Sequence, residues 1–378
     1  MSTAGPPEPR HPLPAPWSPP AHGGYPLAGL SPGAGGPQPG WQPPWSAAPY
    51  RRLDPTADLP DFPALPDFPA QYHQVLRGPR HRWWRPLLSL LLLGVGIIAE
   101  AVLLAAVVVA LGAALGESDP IEWGERLGTA TPSDPGTFLL TNLSLILLIP
   151  LVIGVIWVAH HGRPGYLLSV AGRFRWGWFG RCLTVLTPLW VGYLSAAWLV
   201  TGAVVETRPR QWAILAVMAL LLTPLQAAAE EVAFRGWFLQ SIGSWFPGRR
   251  TGLIVAGALS TTAFGLAHGS WDPWILADLA AFGVVTIVLT WRTGGLEAAI
   301  ALHAVNNVIA MQFSLAVGGF DEGFVDATAT GSPGSTLVSV LVQGTALILI
   351  VRLARRRDLQ WRLDPAHPSP PAHGLAPG

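Results

Sequence analysis

The feature that most constrains this chain is a series of apolar runs, each near the length at which a helix can cross a membrane. An α-helix needs about 20 apolar residues to span a hydrocarbon core of ~30 Å. Half of the 378 residues are hydrophobic and only 12% are charged, whereas soluble domains carry about 25% charged residues. The sequence therefore predicts an all-α, polytopic integral membrane protein.

Eight apolar runs predict about eight transmembrane helices. They lie at about residues 87–115, 138–159, 182–204, 211–242, 252–269, 274–291, 296–315 and 335–352. Together they place the membrane domain at residues 77–357.

The charges of the connecting loops give an independent test of this count, because short cytoplasmic loops are enriched in Arg and Lys. Arg residues precede the first helix, recur in the second, fourth and sixth loops, and follow the last helix. Acidic residues mark the first loop, at 117–134, and the seventh, at 321–326. This alternation predicts a multi-pass protein of the plasma membrane with both termini in the cytoplasm.

The two ends of the chain differ from the rest in composition. Residues 1–76 are rich in Pro and Gly without a sustained apolar run, so we expect a disordered cytoplasmic tail. Residues 358–378 form a second, short Pro-rich tail. The lipid bilayer is the expected surrounding, and the net charge of +1 gives no reason to expect a nucleic-acid partner.

Ionisable side chains inside hydrocarbon cost at least ~2.5 kcal/mol each, so each calls for a partner or a function. Glu230 and Glu231 end the apolar part of the fourth run, His268 closes the fifth, and His303 lies in the seventh. Glu231 and Arg235 share a helix face and can form an ion pair. Glu230 points about 100° away and stays free to take a proton. Alternatively, both acids belong to a buried salt-bridge cluster that only fixes helix packing.

Side chains that converge from facing helices are how helix bundles build their sites. His303 and Asn307 are four residues apart and point the same way. Two other classes of function stay open at this point. Intramembrane acids and His also occur in ion- or proton-coupled transporters, and a non-catalytic membrane scaffold would need the same packing.

Three ordered motifs carry a family resemblance. They are Glu-Glu-x-x-x-Arg at 230–235, Phe-x-x-x-His at 264–268 and His-x-x-x-Asn at 303–307. In this order they resemble the CAAX-processing and bacteriocin-processing intramembrane endopeptidases, over about residues 185–310. The resemblance implies an eight-helix membrane protease fold and a substrate that is a membrane-associated peptide or protein.

The resemblance also implies roles for seven residues. Glu230 and His268 would activate a water, and His303 and Asn307 would stabilise the oxyanion of the tetrahedral intermediate. The supporting residues would be Glu231, Arg235 and Phe264. Glu230, His268 and His303 could alternatively hold zinc with an open fourth position, and the sequence does not select between the metal-bound and the metal-free mechanism.

Straight helices would place the three motifs at different depths in the membrane. Straight helices put Glu230 and His303 on the cytoplasmic side, with His268 about 25 Å from the inner surface. The motifs can then meet only if the fifth helix starts deeper or if Pro224 bends the fourth.

Overall fold

The computed structural model describes residues 65–202, 205 and 207–365. Twelve α-helices form within these residues. They are α1 (Arg85–Ala114), α2 (Pro120–Thr129), α3 (Pro135–Ile146), α4 (Leu148–His160), α5 (Pro164–Leu168), α6 (Trp176–Thr201), α7 (Trp212–Glu231), α8 (Leu239–Gly243), α9 (Arg249–Ala267), α10 (Pro273–Thr293), α11 (Glu297–Val317) and α12 (Pro333–Arg356). A π-helical segment, Val232–Phe238, joins α7 to α8. Two short 3-10 helices are Tyr72–Gln74 and Asp321–Gly323, and the strands β1 (Ala70–Gln71) and β2 (Arg362–Leu363) pair antiparallel.

The long helices confirm the predicted membrane fold. Within the described part of the chain, seven helical spans are long and apolar enough to cross a membrane. They are Arg85–Ala114, Pro135–His160, Trp176–Thr201, Trp212–Gly243, Pro273–Thr293, Glu297–Val317 and Pro333–Arg356. The remaining predicted span, the fifth in chain order at about 252–269, is present as α9. It is less apolar than the others because two Arg residues begin it and several Gly, Ser and Thr residues follow.

Four helices begin at an Asp-Pro or Ser-Pro pair, which explains where they start. At α10 the Asp272 carboxylate accepts hydrogen bonds from the backbone of Trp274 and Ile275, at 2.9 and 3.0 Å. Pro273 occupies the first helical position, where its missing N–H costs nothing. The equivalent pairs at α2, α3 and α12 are Asp119-Pro120, Asp134-Pro135 and Ser332-Pro333.

Helix α11 lies at the centre of the bundle. It packs against α6, α7 and α10, while α12 packs on α10 and α1 packs on α4. Burial separates the inner from the outer helices. Of the most apolar 18-residue stretch in each helix, 44% is buried in α11 but only 6% in α1. The central helix is therefore the one that carries His303 and Asn307.

The predicted boundary of the N-terminal tail at residue 76 is wrong. Tyr72 and His73 are fully buried, and the Tyr72 hydroxyl donates to the carbonyl oxygen of Leu167. Burial raises the pKa of this phenol. β1 also pairs with β2, so the C-terminal segment begins with an ordered strand. Apolar side chains between the prolines supply this packing. The disorder predicted for residues 1–64, like the tail beyond residue 365, lies outside the described residues.

The connecting segments around 163–175, 244–249 and 292–296 lie at one end of the bundle, hereafter the Arg-rich end. Here the segment after α5 is joined to the α10–α11 turn by backbone hydrogen bonds from Val170 to Gly294 and from Leu296 to Leu168, at 2.8 and 2.9 Å. Gly294 ends α10 in the left-handed conformation, with φ of +69°. This segment forms part of the core through buried Leu167.

Candidate active site

The two glutamates close α7, immediately before the π-helical segment. Glu231 is fully buried and Glu230 is 9% exposed. π-Helical turns interrupt the regular 3.6-residue spacing and are frequent at functional sites. Here the π-helical segment begins at Val232, directly after the two acids, and contains Arg235.

Glu231 binds two partners. Its Oε1 lies 3.2 Å from Arg235 Nη1, which is the ion pair that the four-residue spacing predicts. The same oxygen lies 2.8 Å from His303 Nδ1 on α11. Because an ionised carboxylate only accepts, the proton of a neutral His303 is assigned to Nδ1, which leaves Nε2 without one.

Glu230 has two oxygens in different surroundings. Gln226, one helical turn earlier, donates from Nε2 to Glu230 Oε1. Glu230 Oε2 is buried, has no hydrogen-bond partner among the described residues, and lies 3.7 Å from His303 Nε2. One oxygen is thus fixed by the protein, and the other is left available beside an imidazole nitrogen.

A chain of side-chain amides leads to Glu230 from α6. Trp190 donates to Asn306 at 3.0 Å, and Asn306 donates to Asn307 at 2.9 Å. Asn307 then donates to Gln226 at 3.4 Å. All the donors point the same way, towards the carboxylate. Hydrogen bonds in such a series polarise one another, and this one ends on the negative charge of Glu230.

Phe264 supports the charged groups with its ring. The guanidinium carbon of Arg235 lies 4.2 Å from the Phe264 ring centroid, in cation–π range. The same ring lies 4.7 Å from His268 and 6.1 Å from His303. Phe282 on α10 lies 4.9 Å from His303. The first residue of the Phe-x-x-x-His motif therefore touches groups from both other motifs.

His268 follows the last residue of α9, and its Nδ1 lies 2.8 Å from the Phe264 carbonyl oxygen. Since a carbonyl only accepts, Nδ1 is assigned the proton and Nε2 is the unprotonated nitrogen of the neutral ring. The side chain is half-buried. His268 is joined to the glutamate cluster through the Phe264 ring.

The structure resolves the difference in depth. Glu231 lies about 18 Å along the helix from Gly243, and Phe264 lies about 22 Å from the start of α9, so the two are nearly level. His303 lies only about 9 Å from the start of α11, which therefore begins deeper in the bundle. The three motifs can therefore meet because the helices do not start in one plane.

The proposed zinc ligands are not arranged as a metal site in this conformation. Within the described residues, no three His, Cys, Asp or Glu side chains lie close enough together to hold a metal ion. His303 turns Nδ1 to Glu231, and His268 turns Nδ1 to a carbonyl. These residues therefore do not fit zinc as they stand, and zinc dependence stays a prediction.

Four residues of the site were not predicted. Gln226 is four residues before Glu230, so the same helical spacing that paired Glu231 with Arg235 could have found it. Asn306 is adjacent to a motif residue. Trp190 and Phe282 come from α6 and α10, and no local pattern in the sequence marks them.

Comparison with known proteins supports the resemblance carried by the motifs. Residues 209–309 match the family described as type II CAAX prenyl endopeptidase Rce1-like, in the part of the chain that contains all three motifs. The chain is also similar to the uncharacterized protein YyaK of Bacillus subtilis (strain 168), with 32% identity over 105 residues. That match covers 26% of this chain and 34% of YyaK, so the chain spans about a third of the length of this relative. No solved structure matches.

Proposed function

We propose that this protein is an intramembrane endopeptidase that hydrolyses a peptide bond of a membrane-associated protein or peptide. The observation that carries the proposal is the asymmetry of Glu230, one oxygen of which accepts from Gln226 while the other is buried without a partner among the described residues. A buried acceptor of this kind is expected where a reacting group binds.

In the proposed reaction, the oxygen of a water molecule attacks the peptide carbonyl carbon, and Glu230 Oε2 takes a proton from that water. His268 Nε2 assists as a second proton acceptor. The carbon–nitrogen bond then breaks, and the proton is delivered to the leaving amine. The buried cluster around Glu231 supports these roles, because Arg235 and the His303 Nδ1–H together offset the charge of the second acid.

The oxyanion would be stabilised by His303 and Asn307. The Asn307 amide already donates to Gln226 at 3.4 Å, a long hydrogen bond that an oxyanion can replace at small cost. His303 Nε2 lies 3.7 Å from Glu230 Oε2 and carries no proton in the neutral ring, so in this proposal it donates to the oxyanion after taking a proton from Glu230. Loss of one oxyanion donor typically costs ~2.7–4 kcal/mol in transition-state stabilisation.

The decisive experiment is Glu230→Gln, which keeps the size of the side chain and removes the base. Cleavage of a quenched fluorescent peptide with a farnesylated CAAX terminus should fall by about 10²–10⁴-fold. An untargeted comparison of membrane peptides from cells with either form extends the test to other substrates, including bacteriocin-like peptides. Glu100→Gln is the matched control, since it removes an acid from α1 outside the site. Undiminished cleavage by Glu230→Gln would leave the transporter and scaffold hypotheses in its place.

Metal dependence is tested on the same purified enzyme. If zinc is bound by Glu230, His268 and His303, each substitution should remove metal and activity together, and a chelator should reproduce the defect. Full activity without stoichiometric zinc, unchanged by chelation, would establish the metal-free mechanism.

We further propose that the Arg-rich end faces the cytoplasm of a plasma-membrane protein, with both termini on that side. The acidic first and seventh loops meet at the opposite end, where Ser133 donates to both carboxylate oxygens of Asp321, at 2.6 and 2.8 Å. Reporter fusions after residue 245 should be cytoplasmic, and those near 125 and 325 external. An external result at 245 would contradict this orientation.

A further inference from the structure

The middle of α1 carries an acid that is exposed towards the membrane. Glu100 lies midway along this 30-residue helix, about 22 Å from its start at 1.5 Å per residue. That position is near the centre of a hydrocarbon core of ~30 Å. Of the seven apolar spans, α1 is also the one that the rest of the described chain buries least. The surroundings of Glu100 are therefore mostly lipid.

The carboxylate of Glu100 has no partner within the described part of the chain. No hydrogen-bonding or charged group there interacts with it, and its side chain is partly exposed. α1 itself cannot supply a counter-ion, because this helix contains no basic residue after Arg85. Ionisable groups at such a depth are costly and are normally paired or turned into a bundle or a water-filled cavity. The charge of Glu100 therefore calls for a group from outside this chain.

Glu100 lies in a gap between two packing contacts of α1. One turn before it, Gly96 packs so closely on Leu151 of α4 that a Cβ would not fit between them. Two turns after it, Val108 lies against Gly124 of α2. These contacts lie on the same face of α1, because residues four apart on a helix are neighbours. Between them this face is not covered by α4 or α2.

The surface around this gap is open along three turns of the helix. From residue 97 to residue 107, every position except Glu100 and Leu104 is exposed. Ala101 and Ala105 are adjacent to Glu100 on this surface. Small side chains four residues apart allow the backbone of another transmembrane helix to approach closely. The shape of the surface thus suits a helix that lies beside α1.

The charge at this surface determines which occupant fits. A second copy of this chain, related by two-fold symmetry, would bring its own Glu100 to the same place, and like charges repel strongly where the dielectric constant is low. The positive groups of lipid headgroups lie about 15 Å away, outside the hydrocarbon core. A Lys or Arg residue in the middle of another protein's transmembrane helix lies at the depth of Glu100 and has the opposite charge.

We propose that the surface of α1 between Gly96 and Val108 binds a transmembrane helix of a partner protein, which carries a Lys or Arg residue at the depth of Glu100. The two side chains form an ion pair inside the membrane. The surface lies on a different helix from the glutamate cluster, and the proposal does not depend on peptidase activity. Cleavage of a short peptide involves no such partner, so Glu100→Gln keeps its use as a control in that assay.

The test measures energy transfer from the donor-labelled full chain to an acceptor-labelled synthetic helix of about 20 Leu and Ala residues. Both are reconstituted in phosphatidylcholine liposomes, and the synthetic helix has either Lys or Leu at its centre. The Lys helix should bind the wild type at least about tenfold more tightly than the Leu helix. Glu100→Gln should bind the two helices equally. Glu122→Gln, which removes an exposed acid from α2, should behave as the wild type.

A charge-reversed pair controls for variants that fail for another reason. Glu100→Lys should lose the Lys helix and bind a helix with Glu at its centre, with thermal unfolding used to show that each variant is folded. If Glu100→Lys does not fold, Glu100→Gln alone carries the comparison. Equal binding of the Lys helix by the wild type and Glu100→Gln would overturn the proposal.

A second series mixes donor-labelled and acceptor-labelled copies of the chain in the same liposomes. The proposal expects no energy transfer between copies that depends on Glu100. Self-association that is present in the wild type and lost in Glu100→Gln would assign the surface to a second copy of the chain, and would overturn its assignment to a basic partner helix.

Discussion

Two buried ion pairs of this protein are built in different ways. At the Arg-rich end, Arg175 meets Glu297 through Nε and Nη2, both at 2.7 Å, and also donates to the carbonyl oxygens of Gln360 and Thr293. In the glutamate cluster, Arg235 makes one bond of 3.2 Å to Glu231. Its Nε and Nη2 are buried with no hydrogen-bond partner among the residues described.

Under the proposed function, this difference separates a structural ion pair from one that belongs to a reactive cluster. A buried pair contributes to stability only when its remaining donors and acceptors are satisfied. The Arg175 pair meets this condition and joins three segments of backbone, so it holds the Arg-rich end together. The Arg235 pair does not, and its unused donors belong to the same cluster as Glu230, the base of the proposed reaction.

The largest expected effect comes from removing the segment that pairs with β2, which follows Gln360, a partner of Arg175. Residues 65–75 contain β1, which pairs with β2 next to Gln360. They also contain the buried side chains of Tyr72 and Val75. Each buried side chain of this size contributes roughly 1.5–3 kcal/mol. A truncation that starts at residue 76 should lose monodisperse, folded protein in size-exclusion chromatography. The matched truncation starting at residue 65 should not, and equal yields of the two would show that this segment does not hold the end together.

The second prediction removes one charge of the satisfied pair. Glu297→Gln leaves Arg175 buried without a counter-ion and should lower the free energy of unfolding by about 3–5 kcal/mol. Glu122→Gln is the control, because its pair with Arg126 is 63% and 60% exposed and should change stability by less than ~0.5 kcal/mol. Both are measured by denaturant unfolding in detergent. A similar small effect in the two variants would contradict the structural role of Arg175.

The third prediction uses pH. Burial lowers the pKa of His73 from 6.5 to about 4, partly opposed by its hydrogen bond to the Arg249 carbonyl. The folded state therefore favours the neutral ring. This stability is fully present above pH 6.5 and is lost as the pH falls towards 4, by at most about 3 kcal/mol. His73→Gln should unfold with a weaker pH dependence between pH 7 and 4.5, and parallel wild-type and variant curves would exclude this role.

The smallest effect is expected at the amide chain. Gln226→Met removes the donor to Glu230 Oε1, and the loss of a hydrogen bond to a charged group should lower kcat about tenfold with little change in stability. Gln343→Met is the control, because Gln343 is also buried but binds Asp278 at 2.9 Å on another helix. If both substitutions reduce kcat equally, the effect belongs to general packing and not to Glu230.

The sequence predicted the helices well because membrane spans depend on local composition, and the outer bounds of the spans agree to within a few residues. The Glu231–Arg235 pair followed from helical spacing for the same reason. The sequence could not predict contacts between segments that are far apart in the chain. Trp237 is buried and donates to Ser89 at 3.1 Å, from a helix almost 150 residues further along the chain, a contact that no local pattern indicates. Likewise β1 is two residues long, and its partner lies at the other end of the chain.

The amide chain from Trp190 to Glu230 also has a consequence for proton movement. An indole and three carboxamides neither gain nor release protons near neutral pH, so they can orient Glu230 but cannot relay a proton to it. Protons that reach this carboxylate must therefore pass on the side of Oε2, His303 and His268. The side of the site that faces α6 therefore cannot supply protons to Glu230, and proton exchange in the proposed reaction takes place at Oε2.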